Sequence, residues 1–257
     1  MITKDIAKDF KESDAEQLSP QWFADRVGKP SASRLGDLMA RLKPKKDQEV
    51  GDRAQKSKDY LDELAYEKAF GHKFEKFTTQ AMQTGVDYED LVAQEYAKKV
   101  HSSTLEAHSY ISDYFVATPD RKVVTDKGEH GLLECKVLGD NSFADLLRNG
   151  ICENHRLQVQ GQLMATGADW CDYAAVNLSS HAIVILRQTR DDETIEAIYK
   201  EVKGLDIPEM PMDNCSVFSY DDIEQYDNGK DVSGLSAEEI AEIDSKVNNE
   251  LLKSWEG

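Results

Sequence analysis

The stretch TPDRKVVTDKGEHGLLECKV, residues 118–137, holds three residues whose types and spacing could do chemistry: Asp120, Glu134 and Lys136. Alternation along an extended strand places positions i and i+2 on one face, so Glu134 and Lys136 project together and Cys135 projects away. Asp120 follows Pro119 at the start of the preceding strand, and a turn at Lys127-Gly128 returns the chain beside it. Two carboxylates converging from adjacent strands form a hard oxygen site suited to magnesium or manganese, and the backbone carbonyl of Cys135 could add an oxygen. A lysine beside such a cation can orient a water, help deprotonate it, or stabilise charge on a phosphorane. An Asp followed by Glu-x-Lys is common by chance. Here the apolar flanks of GLLECKVL imply a buried strand, where a Glu and a Lys need partners because unpaired buried charges are costly.

Other residues could join them. Glu89 lies early on a long helix that precedes the strands. Gln158 and Gln162 are four apart and share one face of the helix that follows Lys136. Arg26, Ser31 and Ser33 belong to a compact helix-turn-helix segment, where hydroxyls at a helix N-terminus and an arginine would suit a phosphate.

The elements that must position these groups follow from hydrophobic period and turn residues. Residues 20–42 read as a short helix, a turn at Gly28-Lys29-Pro30 and a second helix; residues 43–58 read as a basic loop. Helices are expected over about 60–69 and 86–100, with Tyr88, Leu91, Val92, Glu95 and Tyr96 near one face of the second. Residues 107–125 read as two strands with a turn near Ser112-Asp113, and residues 129–138 as a third. A helix ending at Gly150, another ending at Gly167, a strand pair turning at Ser179-Ser180, and a helix over 191–205 complete the body. The order is α+β: a mixed central β-sheet flanked by helices.

The chain has 257 residues and a formal net charge of −18, but residues 206–257 carry −11 of it and the first 205 carry −7. The expected division is therefore a body over 1–205 and an acidic extension over 206–257. That extension ends in an amphipathic helix with Ser236 and Glu239 as a capping box and Ile240, Ile243, Val247 and Leu251 as its stripe. Acidity lowers the expectation of a nucleic-acid partner without excluding one, since a nuclease needs only a local basic path. Four widely spaced cysteines with no CxxC pair argue against a zinc knuckle or iron–sulfur cluster and for reduced thiols. The N-terminus MITKDIAKDF has no apolar core of an export signal, so a cytoplasmic location without a membrane is expected.

The blocks WFADRVGKPSASRLGDLM, TGVDYEDLVAQEY, ATPDRKV, GLLECKV and HRLQVQGQLMATG occur in the order found in the lambda exonuclease family, the YqaJ-like viral recombinases. The chain resembles that family over roughly residues 20–200, which implies the PD-(D/E)xK (restriction-endonuclease-like) nuclease core. The resemblance implies that Asp120 and Glu134 bind metal, that Lys136 assists the attacking water, and that Glu89 completes the acidic cluster through a bound water. It implies that Gln158 helps place the nucleophile or the metal shell, and that Arg26 and Ser33 hold a 5′-terminal phosphate. It further implies a magnesium-dependent 5′→3′ exonuclease on linear double-stranded DNA that leaves 3′ single strands. A trimeric ring and a single-strand annealing partner in phage recombination are implied as well. His155 stands where the family has tyrosine. The alternatives are a nuclease of the same fold with endonuclease or single-strand activity, as in RecB-like enzymes, and a non-catalytic DNA-binding or assembly protein.

Overall fold

In the computed structural model, the described residues are 3–16, 19–46, 48, 50–74 and 80–210. The acidic extension beyond Met210, with its expected C-terminal helix, lies outside them. After a 3-10 helix over Thr3–Asp9, the elements are β1 (Lys11–Ser13), α1 (Pro20–Ala24), α2 (Leu35–Leu38), α3 (Gln55–Phe70) and α4 (Gln80–Val100). They continue with β2 (Ser102–Glu106), β3 (Ser109–Ile111), β4 (Val116–Ala117), β5 (Arg121–Thr125) and β6 (His130–Val137). Last come α5 (Asp140–Asn149), α6 (Glu153–Thr166), β7 (Trp170–Asn177), β8 (Ala182–Thr189) and α7 (Asp192–Lys203).

The main sheet has the order β2-β5-β6-β7-β8, with β6 and β7 parallel and every other pair antiparallel. The parallel step requires a crossover, and α5 and α6 supply it between β6 and β7. The central strands are apolar because both faces are covered: β7 is buried at all eight positions. One face packs Leu132, Tyr173 and Ala175 with Leu157 and Met164 of α6. The other packs Leu133, Cys135 and Ala174 with Val92, Ala93 and Tyr96 of α4. This is the expected mixed sheet with helices on its faces.

Several boundaries differ from the sequence reading. Helix α3 starts at Gln55, so the basic loop is shorter than 43–58, and Arg53 pairs back across it to Arg41 in an isolated bridge. Helix α4 starts at Gln80, because polar residues and Gly85 hide its first turns from an apolar period. Its buried face is Val92, Ala93 and Tyr96, whereas Tyr88 and Leu91 are exposed. Strand β2 is unanticipated: SSTLE is an edge strand with little buried surface, so its alternation carries almost no apolar signal. Residues 107–125 form three strands rather than two, since β3 and β4 leave the main sheet and pair with β1 in a small second sheet. No helix among the described residues is long and apolar enough to cross a membrane.

Candidate active site

Register decides the centre of the site. Arg121 of β5 pairs with Leu133 of β6, so Asp120, one residue earlier, falls opposite Glu134. Asp120 Oδ2 accepts the Cys135 amide at 2.6 Å, which locks the carboxylate against the neighbouring strand. The Cys135 side chain is turned into the α4 side of the core, as alternation demands.

Glu134 is fully buried, and its carboxylate is surrounded by donors. Lys136 Nζ and Gln158 Nε2 both donate to Oε1, the amide at 2.6 Å. Gln162 Nε2 donates to Oε2 at 2.6 Å. The two glutamines reach one carboxylate because they are one helical turn apart on α6, which lies across this face of the sheet. Gln162 also donates to the Thr118 carbonyl at 3.2 Å.

The electrostatics follow from burial and from two carboxylates sharing a site. Burial, and then the Glu134 charge, push the Asp120 carboxyl well above the ordinary carboxylate range; Lys136 opposes this and Glu89 adds to it. Burial works against the charge of Lys136, but Glu134 and Asp120 outweigh it and hold the ammonium above its usual value. Lys136 is therefore a cation at neutral pH.

Glu89 sits near this centre but has a partner of its own. Arg121, pointing to the α4 face, donates to Glu89 Oε1 at 2.5 Å, to the Asp120 carbonyl at 2.5 Å, and to Asp90. Glu89 is thus tied to Arg121 rather than joined directly to the other two carboxylates. Among the described residues no group of three or more His, Cys, Asp or Glu side chains is close enough to hold a metal ion. The donors that do converge, the Asp120 and Glu134 carboxylates, are hard oxygens. Mutual repulsion of the two acids is what a divalent cation relieves.

The N-terminal segment meets the same region. Val116 donates its amide to the Pro30 carbonyl at 3.0 Å, and Ser31 and Val116 form a parallel bridge. That contact brings the segment alongside the strand leading to Asp120. Arg26 donates to the Ser109 and Thr118 hydroxyls, both at 2.9 Å, and stacks over Trp22 with its guanidinium carbon 3.9 Å from the ring centroid. Burial lowers its pKa to about 10. No carboxylate lies within ion-pair distance of it among the described residues, whereas Arg34 nearby pairs with Asp37 and Glu63. The Ser31 and Ser33 hydroxyls lie 3.2 Å apart at the start of a 3-10 turn over Ala32–Arg34, and Ser31 makes no side-chain cap.

Glu67, buried on α3, accepts the Gly28 amide at 2.9 Å, the Phe74 amide at 3.2 Å and Lys73 Nζ at 2.6 Å. Gly28 has φ +66, and a Cβ there would run into Lys68 Cγ at 2.5 Å, so the turn beside Arg26 requires glycine. Glu67 and Thr118 thus position the segment that carries Arg26. The sequence gives little sign of either: a glutamate inside a charged helix and a threonine before a proline look ordinary. His155 Nδ1 lies 2.7 Å from the Tyr173 hydroxyl. Burial, then the Lys136 charge, lower its pKa, so the imidazole is held neutral.

Residues 21–169 match the family model of the YqaJ-like viral recombinase domain. Among solved structures, the chain is similar to an alkaline exonuclease from Laribacter hongkongensis at 26% identity and a TM-score of 0.59. That match covers 72% of this chain and 90% of that one. The same enzyme in complex with dAMP gives a TM-score of 0.60 over the same shares of each chain. A phage related exonuclease from Haemophilus somnus matches at 14% identity and a TM-score of 0.51, covering 68% of this chain and 90% of that one, which shows a shared fold. No curated protein matches.

Proposed function

This chain belongs to the YqaJ-like viral recombinase family and is a nuclease of the phage-recombination exonuclease type; from that premise we propose that it is a metal-dependent 5′→3′ exonuclease on linear double-stranded DNA. The observation that carries the reading is a pair of unlike charges side by side. Asp120 and Glu134 converge with Lys136 on one strand pair, and Arg26, a cation without a carboxylate partner among the described residues, shares Thr118 with the same strand approach.

Asp120, Glu134 and the Cys135 carbonyl would hold Mg2+, with Mn2+ as a substitute and Glu89 reaching it through a water. When bound, the cation supplies Lewis acidity and neutralises phosphate charge. Lys136, beside Glu134 and held charged by it and by Asp120, would orient the attacking water and stabilise charge on the phosphorane. Gln158 keeps the Glu134 carboxylate oriented. Water adds to phosphorus, the bond to the 3′ oxygen breaks, and a 5′-mononucleotide leaves. Arg26, with Ser31 and Ser33, would receive the 5′-terminal phosphate, which fixes the register of cutting at one nucleotide from the end.

By family resemblance, a trimer around DNA and a single-strand annealing partner are the expected assembly; light scattering tests the trimer. The function itself is tested with linear and closed circular duplexes, with Mg2+ or with chelator, using wild type and Asp120→Asn. The expected outcome is Mg2+-dependent loss of linear DNA alone, abolished by the substitution. Equal cutting of circles would replace this reading with an endonuclease, and no cutting of either would leave a binding protein.

A further inference from the structure

Gln162 lies between the two halves of the proposed site and touches both. Its side chain is completely buried on α6, and its single amide nitrogen donates to Glu134 Oε2 and to the Thr118 carbonyl. A carboxylate and a carbonyl are acceptors only, so the nitrogen must face them and the amide cannot be reversed. That forced orientation leaves Gln162 Oε1 buried with no hydrogen-bond partner among the described residues. A fold rarely retains an unsatisfied buried acceptor without a reason, and here the reason is what the nitrogen holds. On the far side of Thr118, the hydroxyl of the same residue accepts from Arg26 and shares a 2.7 Å hydrogen bond with Ser109. A continuous path of contacts therefore runs from Arg26 through Thr118 and Gln162 to Glu134.

We infer that Gln162 is a positioning residue that sets the terminal-phosphate pocket in register with the metal-binding carboxylate, and so contributes to the choice of 5′-phosphorylated ends. It touches neither phosphate nor metal. It fixes the Thr118 backbone relative to Glu134, and Thr118 fixes the Arg26 guanidinium. The inference rests on the reading that Arg26 receives the terminal phosphate. Gln158, one turn earlier, donates among the described residues to Glu134 alone, so it shares the carboxylate without sharing the path.

The test is the ratio of kcat/KM on 5′-phosphate and 5′-hydroxyl duplex ends, measured with Mg2+. Gln162→Met keeps the length of the side chain and removes both donations. The expected result is a fall in kcat of about 10–100-fold together with at least a fivefold fall in the end-preference ratio. Gln162→Met added to Arg26→Ala should then lower the ratio little further, because Gln162 acts on the choice of end through Arg26. An end preference unchanged from wild type in Gln162→Met, whatever the loss of rate or Tm, would overturn the inference and leave Gln162 a structural residue. If Gln162→Met does not fold, Gln162→Asn, which keeps the amide but is one methylene short, is read by the same ratio. A wild type that degrades DNA with no preference for 5′-phosphate overturns the phosphate-pocket reading itself, and this is visible before any variant is made.

Discussion

At the scale of single residues, the site is organised by the repulsion of two acids. Asp120 holds its proton more tightly in the fold than in the unfolded chain, because burial and Glu134 both disfavour its charge. A carboxyl raised in this way costs nothing below the ordinary aspartate range, near about pH 4. The cost develops as pH climbs toward the raised folded value. In chelator, Asp120→Asn should therefore become more stable than wild type as pH rises from about 5 to about 8. Each kcal/mol relieved should raise Tm by about 2–4 °C. Mg2+ should raise the Tm of wild type and leave that of Asp120→Asn unchanged; differential melting curves with and without Mg2+ check both. Lys136→Met should lower kcat about 10²–10³-fold with little change in KM for DNA, read from steady-state kinetics. The Asp120, Glu134 and Lys136 trio was legible in the sequence because strand alternation and apolar flanks identify a buried, charged face. The capture of Glu89 by Arg121 and the double donation by Gln162 were not. Both depend on which way long side chains turn once strand and helix are packed, and spacing along one element carries no information about that.

At the scale of elements, α6 is the part that carries the most. It brings Gln158 and Gln162 to Glu134, and it approaches the N-terminal segment closely enough to leave no room at Gly161. A Cβ there would lie 2.6 Å from Leu35 Cδ1 and 3.2 Å from Phe115 Cζ, both on wholly buried residues. Gly161→Ala should destabilise by about 1–3 kcal/mol through overpacking. Gly85, inside α4, has nothing within 4 Å of the same position, so Gly85→Ala should stabilise by about 0.5–1 kcal/mol through helix propensity. Denaturant unfolding of the pair should give opposite signs. The glycines that end helices, Gly150 and Gly167, marked the limits of α5 and α6 in the sequence because both adopt a positive φ. Strand β2 was hidden because an edge strand buries little and hydrophobic period is only a record of burial, and the small β1-β3-β4 sheet because its strands are too short to show a period.

At the scale of the molecule, an acidic protein must bind a polyanion. The net charge of −18 is concentrated toward the C-terminal end of the chain, whereas Arg26 and Arg34 both lie near enough to Lys73 to repel its charge, with Arg34 and Lys73 held by Glu63 and Glu67. Each phosphate contact contributes about −0.9 to the slope of log affinity against log salt, so Arg26→Ala should reduce that slope by about 1. Fluorescence anisotropy of a 5′-phosphorylated duplex in chelator measures it; no salt dependence would remove these cations from the interface. The α+β class was visible from the order of periods. The way an N-terminal arginine meets a strand some ninety residues later was not, since it depends on the Ser31 and Val116 bridge. The most direct measurement of the central claim is strand polarity. A linear duplex carrying one dye near the 5′ end of a strand and another near its 3′ end is digested with Mg2+ and sampled over time. The account predicts that the 5′ dye is released first as mononucleotide-sized product while the opposite strand survives as a 3′ single strand. Release of the 3′ dye first, or of internal fragments, would contradict it.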